Sequence, residues 1–331
     1  MARASRSGLR TRPSRSSARC RRSCPPFRPS ADGRSLETTA SRSEAYRASL
    51  KAPELEERLD RLVYRPLAFL VAWPLRRTRV TPNAISVASA LCGVVAGALF
   101  WLGRPDAALA AAAAYFAGNV LDCADGQLAR LQGTASPVGY LVDGAADYIG
   151  TTAVFVGMTH ALLLSRPAPL SWWWLSVPAG ASMAWQCAYL DEKRGDWQDH
   201  VYRRRRDRAG ELEAMVEHAR TWREERTHLL SRALVAVYRA YRTAWSPVTA
   251  APAEDARGGE TDAGWPERHR PILRRSVWVG PTMHVTAIVL AAGVFFRPDV
   301  YFWLAVGPGN AWLLATLFAE RRADRSPERA A

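Results

Sequence analysis

The chain is poor in cysteine, and the few cysteines it has follow no pairing pattern. Cys20, Cys24, Cys92, Cys123 and Cys187 are scattered over 331 residues. Three of them lie in apolar stretches, where cysteine packs as a small hydrophobe. Cys20 and Cys24 have no second pair to complete a zinc site, so neither a disulfide framework nor a zinc module is expected. A secretory leader is not expected either: residues 1–45 are rich in Arg, Ser and Pro, with no apolar stretch behind the basic start. Such a segment buries too little apolar surface to fold alone and reads as a disordered basic tail, although its acid-poor composition also resembles an organelle transit peptide. Acidic residues are outnumbered, 31 Asp and Glu against 45 Lys and Arg, for a net charge of +14. Because this basic excess alternates with long uncharged stretches, it fits the cytoplasmic loops of a multi-span membrane protein better than a nucleic-acid partner.

The uncharged stretches define the expected architecture: an all-α membrane protein with six transmembrane helices, at about 83–102, 107–130, 138–164, 171–190, 277–296 and 300–319. An amphipathic interfacial helix over 53–79 precedes them, its stripe formed by Leu55, Leu59, Leu62, Val63 and Leu67. Spans 1–4 would lie within a core at 81–190, and spans 5–6 within 277–320. A charged helical insertion and linker at 191–276 separates spans 4 and 5, and a basic tail closes the chain at 321–331. Tight connections at Gly103–Asp106, Ser165–Pro167 and Arg297–Asp299 each hold one Arg beside a proline. The opposite face carries Arg76, Arg77, Arg79, the Arg203–Arg206 run and Arg321, Arg322 and Arg325. Positive-inside logic therefore places both termini and the insertion in the cytoplasm, with Trp172–Trp174 at the outer interface. The Arg203–Arg206 run would also attract anionic lipid.

Against that apolar background, the segment Asn119–Asp147 holds four aspartates, Asp122, Asp125, Asp143 and Asp147. A carboxylate inside a membrane helix costs roughly 2.5–3.5 kcal/mol even on insertion scales. Asp122 and Asp125 share one helix face with Ala129; Gly139, Asp143 and Asp147 share another. Ser136 and Pro137 suit the start of the third span, so the two helices are antiparallel neighbours across a short turn. At about 1.5 Å per residue, Asp125 and Asp143 both lie about 10 Å from the turn and Asp122 and Asp147 about 15 Å. The four carboxylates thus meet as two facing pairs, which cannot all ionise without cations. All-oxygen donors favour Mg²⁺, Mn²⁺ or Ca²⁺ over zinc, and two ions would suit a clamp on a transferring phosphoryl group. Gly126, Ala129 and Gly139 leave room for a ligand, and Arg130 suits bidentate phosphate contact. A rival reading is a metal or proton transporter using the same acids.

The pattern Asp122-x2-Asp125-Gly126-x2-Ala129-Arg130-x8-Gly139-x3-Asp143-x3-Asp147 resembles the signature of the CDP-alcohol phosphatidyltransferases, and Thr81–Ser86 is similar to the usual opening of the family's first span. The resemblance implies an enzyme of phospholipid biosynthesis. It would displace CMP from a CDP-linked donor, CDP-diacylglycerol above all, with the hydroxyl of an acceptor alcohol, using Mg²⁺ or Mn²⁺. A soluble CDP-headgroup donor with a lipid or polyol acceptor is the alternative arrangement. It further implies metal ligation by Asp122, Asp125, Asp143 and Asp147, with Asp147 also the general base. Gly126, Ala129, Arg130 and Gly139 would line the cytidine-diphosphate site, and the protein would be a homodimer. His284 and Asn310 are expected to make interhelical hydrogen bonds, and Gln186 and Asp191 are secondary candidates for the site entrance.

Overall fold

The computed structural model describes residues 41–134, 137–166, 171–202 and 264–324, and these are helical or turn, with no strand among them. The expectations for the tails, the Arg203–Arg206 run and most of the 191–276 insertion lie outside the described residues. A short helix, α1 (Arg42–Ser49), is followed by turns and then by a π-helical turn, Asp60–Tyr64, that runs into α2 (Arg65–Leu75). The interfacial helix expected from Pro53 therefore begins several residues later. Leu55, Glu56 and Glu57 are buried in the turns before it, packed into the protein rather than forming a stripe. The long helices are α3 (Pro82–Trp101), α4 (Pro105–Gln132), α5 (Pro137–Ser165) and α6 (Ser171–Val201). After the insertion come α7 (Trp265–Ser276), α8 (Pro281–Ile288), α9 (Pro298–Leu304) and α10 (Asn310–Asp324). Single π-helical turns prolong α8 through Val294 and join α9 to α10.

Local sequence explains the boundaries. Thr81 caps α3 by accepting the Ala84 N–H at 3.3 Å, with Pro82 in the first turn. Gly133 ends α4 in the left-handed region, φ 67°, where glycine carries no steric penalty. Its neighbour Thr134 returns an N–H to the Ala129 carbonyl at 3.0 Å, so α4 stops short of the turn into α5.

Among the described residues, five helices are long and apolar enough to cross a membrane: Pro82–Trp101, Pro105–Gln132, Val142–Ser165, Trp265–Val294 and Pro298–Asp324. α6, the fourth of the expected spans, is not among them. Beyond Leu190 it runs on unbroken through Asp191, Glu192, Lys193 and Arg194, so its apolar part is only the first portion of a longer helix. Leu91, Val95, Leu109, Trp174, Phe295 and Leu314 point away from the protein interior, as lipid-facing side chains should.

α3 makes its most extensive contacts with α5 and α4. Its seam with α5 is built from small residues. A Cβ added to Gly93 would sit 2.5 Å from the Gly150 Cα, and Gly97 lies directly against Ala153 and Gly157. With no lipid-excluding hydrophobic force between membrane helices, close backbone approach supplies the dispersion energy of association. One core cluster joins Phe100, Tyr115, Phe155, Met158, Ile288, Tyr301 and Phe302. A second joins Tyr64, Ala68 and Ala72 of the α2 region to Ile85, Val120, Cys123, Ala124 and Leu128, beside the aspartates. At the other end of the helices, Arg166 and Arg297 meet on Asp299 at 3.1 and 2.9 Å, linking two of the tight Arg-Pro turns.

The interhelical polar residues are paired. His284 Nδ1 lies 3.1 Å from the Tyr301 hydroxyl. Gln186 donates to Asn310 Oδ1 at 2.8 Å, and Asn310 donates to Ser182 at 2.9 Å. Gln186 is fully buried in this network, so its amide is committed within the bundle.

Overpacking the α3–α5 seam should separate the two helices. Gly157→Leu is expected to cost about 3 kcal/mol or to prevent folding, whereas Gly307→Ala, where an added Cβ meets nothing within 4 Å, should be tolerated. Thermal unfolding in detergent followed by size-exclusion chromatography distinguishes them; equal losses for the two variants would remove the packing explanation.

Candidate metal centre

α4 carries Asp122 and Asp125 and α5 carries Asp143 and Asp147, on helices joined by a four-residue connection between Gln132 and Pro137. Carboxylate oxygens of Asp122, Asp125 and Asp143 all lie within 4.8 Å of one another. Asp147 comes within interaction range of Asp122 but stands outside that three-way group. The arrangement is therefore less symmetrical than two separate facing pairs. Asp143 of α5 lies close to both α4 carboxylates, whereas Asp147 is left outside the group.

The donor set tests positively for a hard divalent cation. It is all oxygen, three groups converge within one coordination sphere, and Asp143 Oδ1 is buried with no hydrogen-bond partner. An orphaned acceptor in such a place is costly unless something positive completes it. Ser86 of α3 donates a short hydrogen bond to Asp125 Oδ2 and holds that carboxylate toward the group. Outer-sphere donors of this kind set ligand orientation. Ser86 lies in the Thr81–Ser86 stretch singled out in the sequence, but nothing local there showed that its hydroxyl reaches across to α4.

The expected diphosphate-side residues divide. Gly126 lies beside Arg130: an added Cβ would stand 3.5 Å from the guanidinium, so glycine keeps this space open. Arg130 Nε donates to the Ser49 carbonyl at 2.5 Å, and its Nη2 is buried and unpartnered. Ala129 occupies the final turn of α4, half-buried, one turn after Asp125. Gly139 is in the first turn of α5, and its surroundings lie outside the described residues.

The segment Ser49–Asp60 straps across this end of the protein. The Lys51 N–H donates to Glu56 Oε1 at 3.0 Å, and Glu56 pairs with Arg65 at 3.2 Å. Arg194 of α6 donates to the Leu55 carbonyl at 2.8 Å and pairs with Glu57 at 3.3 Å. Glu57 also accepts the Met283 N–H at 3.2 Å, and Asp60 accepts from Thr282 at 2.6 Å, tying the strap to the start of α8. Burial pushes the Glu57 carboxyl up to about 7, with nearby Asp60 adding to the shift and Arg194 opposing it. Burial also holds the Lys51 ammonium below the usual lysine range, with the like charges of Arg65, Arg194 and Arg130 acting in the same direction.

Two measurements follow from this geometry. Mn²⁺ should raise the thermal midpoint of the detergent-solubilised protein, Asp125→Asn should abolish the rise, and Ser86→Ala should weaken Mn²⁺ affinity about tenfold; a rise that survives in Asp125→Asn would exclude this cluster as the metal site. For Glu57, the unfolded carboxyl ionises near 4.5 and the folded one near about 7. Its contribution to stability is thus lost as pH rises through that window and is level above it. The thermal midpoint of wild type minus that of Glu57→Gln should fall between about pH 4 and about pH 8, and a flat difference would show that burial does not govern this group.

Comparison with family models matches residues 79–190 to the CDP-alcohol phosphatidyltransferase family, about a third of the chain, from the residue before Val80 to Leu190 within α6. Comparison with curated proteins finds no match. The matched stretch contains α3, α4 and α5, all four aspartates and Ser86. Residues 79–190 of this membrane protein are therefore a CDP-alcohol phosphatidyltransferase domain.

Proposed function

We propose that the protein transfers a substituted phosphate group from CDP-diacylglycerol to the hydroxyl of an acceptor alcohol, releasing CMP, as a step of phospholipid biosynthesis. The observation that carries this reading is the convergence of Asp122, Asp125 and Asp143 within 4.8 Å inside the matched domain. A family model alone implies a transferase; three carboxylates in one coordination sphere supply the place where a diphosphate is neutralised.

Asp122, Asp125 and Asp143 would hold Mg²⁺ or Mn²⁺, with Asp147 completing the ligands of a second ion. When bound, such ions neutralise the diphosphate and polarise the phosphorus toward attack. Arg130 meets the donor's phosphate oxygens through the guanidinium edge that has no protein partner, while Gly126, Ala129 and Gly139 give the cytidine diphosphate clearance against the helices. Asp147, exposed and apart from the three-way group, accepts the proton of the acceptor hydroxyl as its oxygen attacks the phosphorus in line with departing CMP. Ser86 positions Asp125. Positioning and charge neutralisation do most of the work in phosphoryl-type transfer, with no covalent enzyme intermediate required. In this reading six spans cross the membrane, the site and both termini face the cytoplasm, and the protein acts as a homodimer.

Purified protein in detergent with Mg²⁺ or Mn²⁺, offered a panel of CDP-linked donors and a panel of alcohols, should release CMP with CDP-diacylglycerol and one class of alcohol. Asp125→Asn and Asp147→Asn should each lower the rate by roughly a hundredfold or more. Release only from a soluble CDP-headgroup would reverse donor and acceptor. No CMP from any pair, with cation flux into proteoliposomes, would replace the transferase by a transporter.

A further inference from the structure

Four cations gather at the strapped end of the protein: Lys51 and Arg65, whose charges act on Asp122, Arg130, which interacts with Asp125, and Arg194, which acts on Lys51. Three are engaged by protein acceptors. Arg65 pairs with Glu56 and donates to the Cys123 carbonyl at 3.5 Å; Arg194 holds the Leu55 carbonyl, Glu57 and Asp191; Arg130 holds the Ser49 carbonyl. Lys51 differs. Among the described residues its ammonium has no hydrogen bond or ion pair, and its charge acts on Asp122. It is not adrift on a tail, because its own N–H is bound to Glu56, the preceding Ser49 carbonyl receives Arg130, and Glu56 and Glu57 are anchored on Arg65 and Arg194.

We propose that Lys51 is a substrate-binding residue, contributed by the strap that precedes the family domain, whose ammonium contacts a phosphate oxygen of the substrate engaged at the carboxylate group. The proposal rests on the transferase reading and names a residue outside residues 79–190. Its physical basis is charge balance. A free ammonium facing three guanidinium groups repels all of them, and this arrangement becomes favourable when an anion sits among them. The carboxylates do not fill that role, since their charge is required by the metal. Arg130 Nη2 is buried without a partner, so a phosphate placed between it and the Lys51 ammonium would accept a hydrogen bond from each. The residue type fits as well. Lys51 and Lys193 are the only lysines among the 45 basic residues of the chain. Lysine offers a compact charge with three donors on a flexible stem, and it reaches a single oxygen without the planar geometry that a guanidinium imposes.

The phosphate could belong to the donor's diphosphate or be carried by the acceptor alcohol, and two binding arms separate these sources. Equilibrium binding of CDP and of inorganic phosphate would be measured on the full-length protein in detergent with Mn²⁺, for wild type, Lys51→Met and Lys51→Arg. Lys51→Met should weaken one of the two ligands about tenfold, with Mn²⁺ binding retained as the check of folding and Lys51→Arg recovering part of the loss. A loss confined to CDP assigns Lys51 to the donor; a loss confined to inorganic phosphate assigns it to an acceptor phosphate. Unchanged affinity for both ligands in a Lys51→Met protein that still binds Mn²⁺ would overturn the proposal and leave the transferase reading standing. Wild-type protein that binds Mn²⁺ but neither ligand would overturn both.

Discussion

Four carboxylates held together between apolar helices are the constraint on which the rest of this protein depends. Left uncompensated, Asp122, Asp125 and Asp143 within 4.8 Å of one another would drive α4 and α5 apart. The fold opposes this in several ways. The connection between α4 and α5 is short, so the helices cannot separate far at that end. α3 packs along α5 through Gly93, Gly97, Gly150 and Gly157, and Ser86 on the same helix binds Asp125. The α3–α5 seam that supplies dispersion energy thus also fixes the distance over which the Ser86 hydroxyl must reach.

The same charge problem accounts for the strap. A cluster of acids at one end of a helix bundle draws cations toward it, and here they come from three separate places: the strap and α2, the end of α4, and the charged extension of α6. Those cations must themselves be satisfied, and Glu56 and Glu57 are buried to do so. Acid and base alternate outward from the aspartates. The burial that makes this alternation tight also holds Glu57 well above its ordinary range and Lys51 below its own. By contrast, the described residues at the opposite end of the helices carry the small Arg166–Asp299–Arg297 cluster, the exposed Arg104–Asp106 pair and a collar of exposed Trp and Leu side chains. The buried charged groups are thus concentrated toward one end of the helices.

Much of this was determined by the sequence itself. Helical spacing alone put the aspartates on two facing surfaces, and Ser136-Pro137 marked the start of α5, because capping and periodicity act over a few residues. The helix expected from Pro53 begins several residues later because a contact outside its own few residues intervenes. Leu55, Leu59 and Leu62 have helical spacing, but Glu56 and Glu57 between them are drawn into ion pairs with Arg65 and Arg194. Long-range electrostatics outweighs local propensity there. What only the tertiary structure decided is which aspartates form the three-way group, that Ser86 orients Asp125, that Arg130 is held by Ser49, and that the Lys51 ammonium has no partner among the described residues. Each of these depends on contacts between residues that are distant in the chain, 81 positions apart for Arg130 and Ser49, and no periodicity reports such a distance.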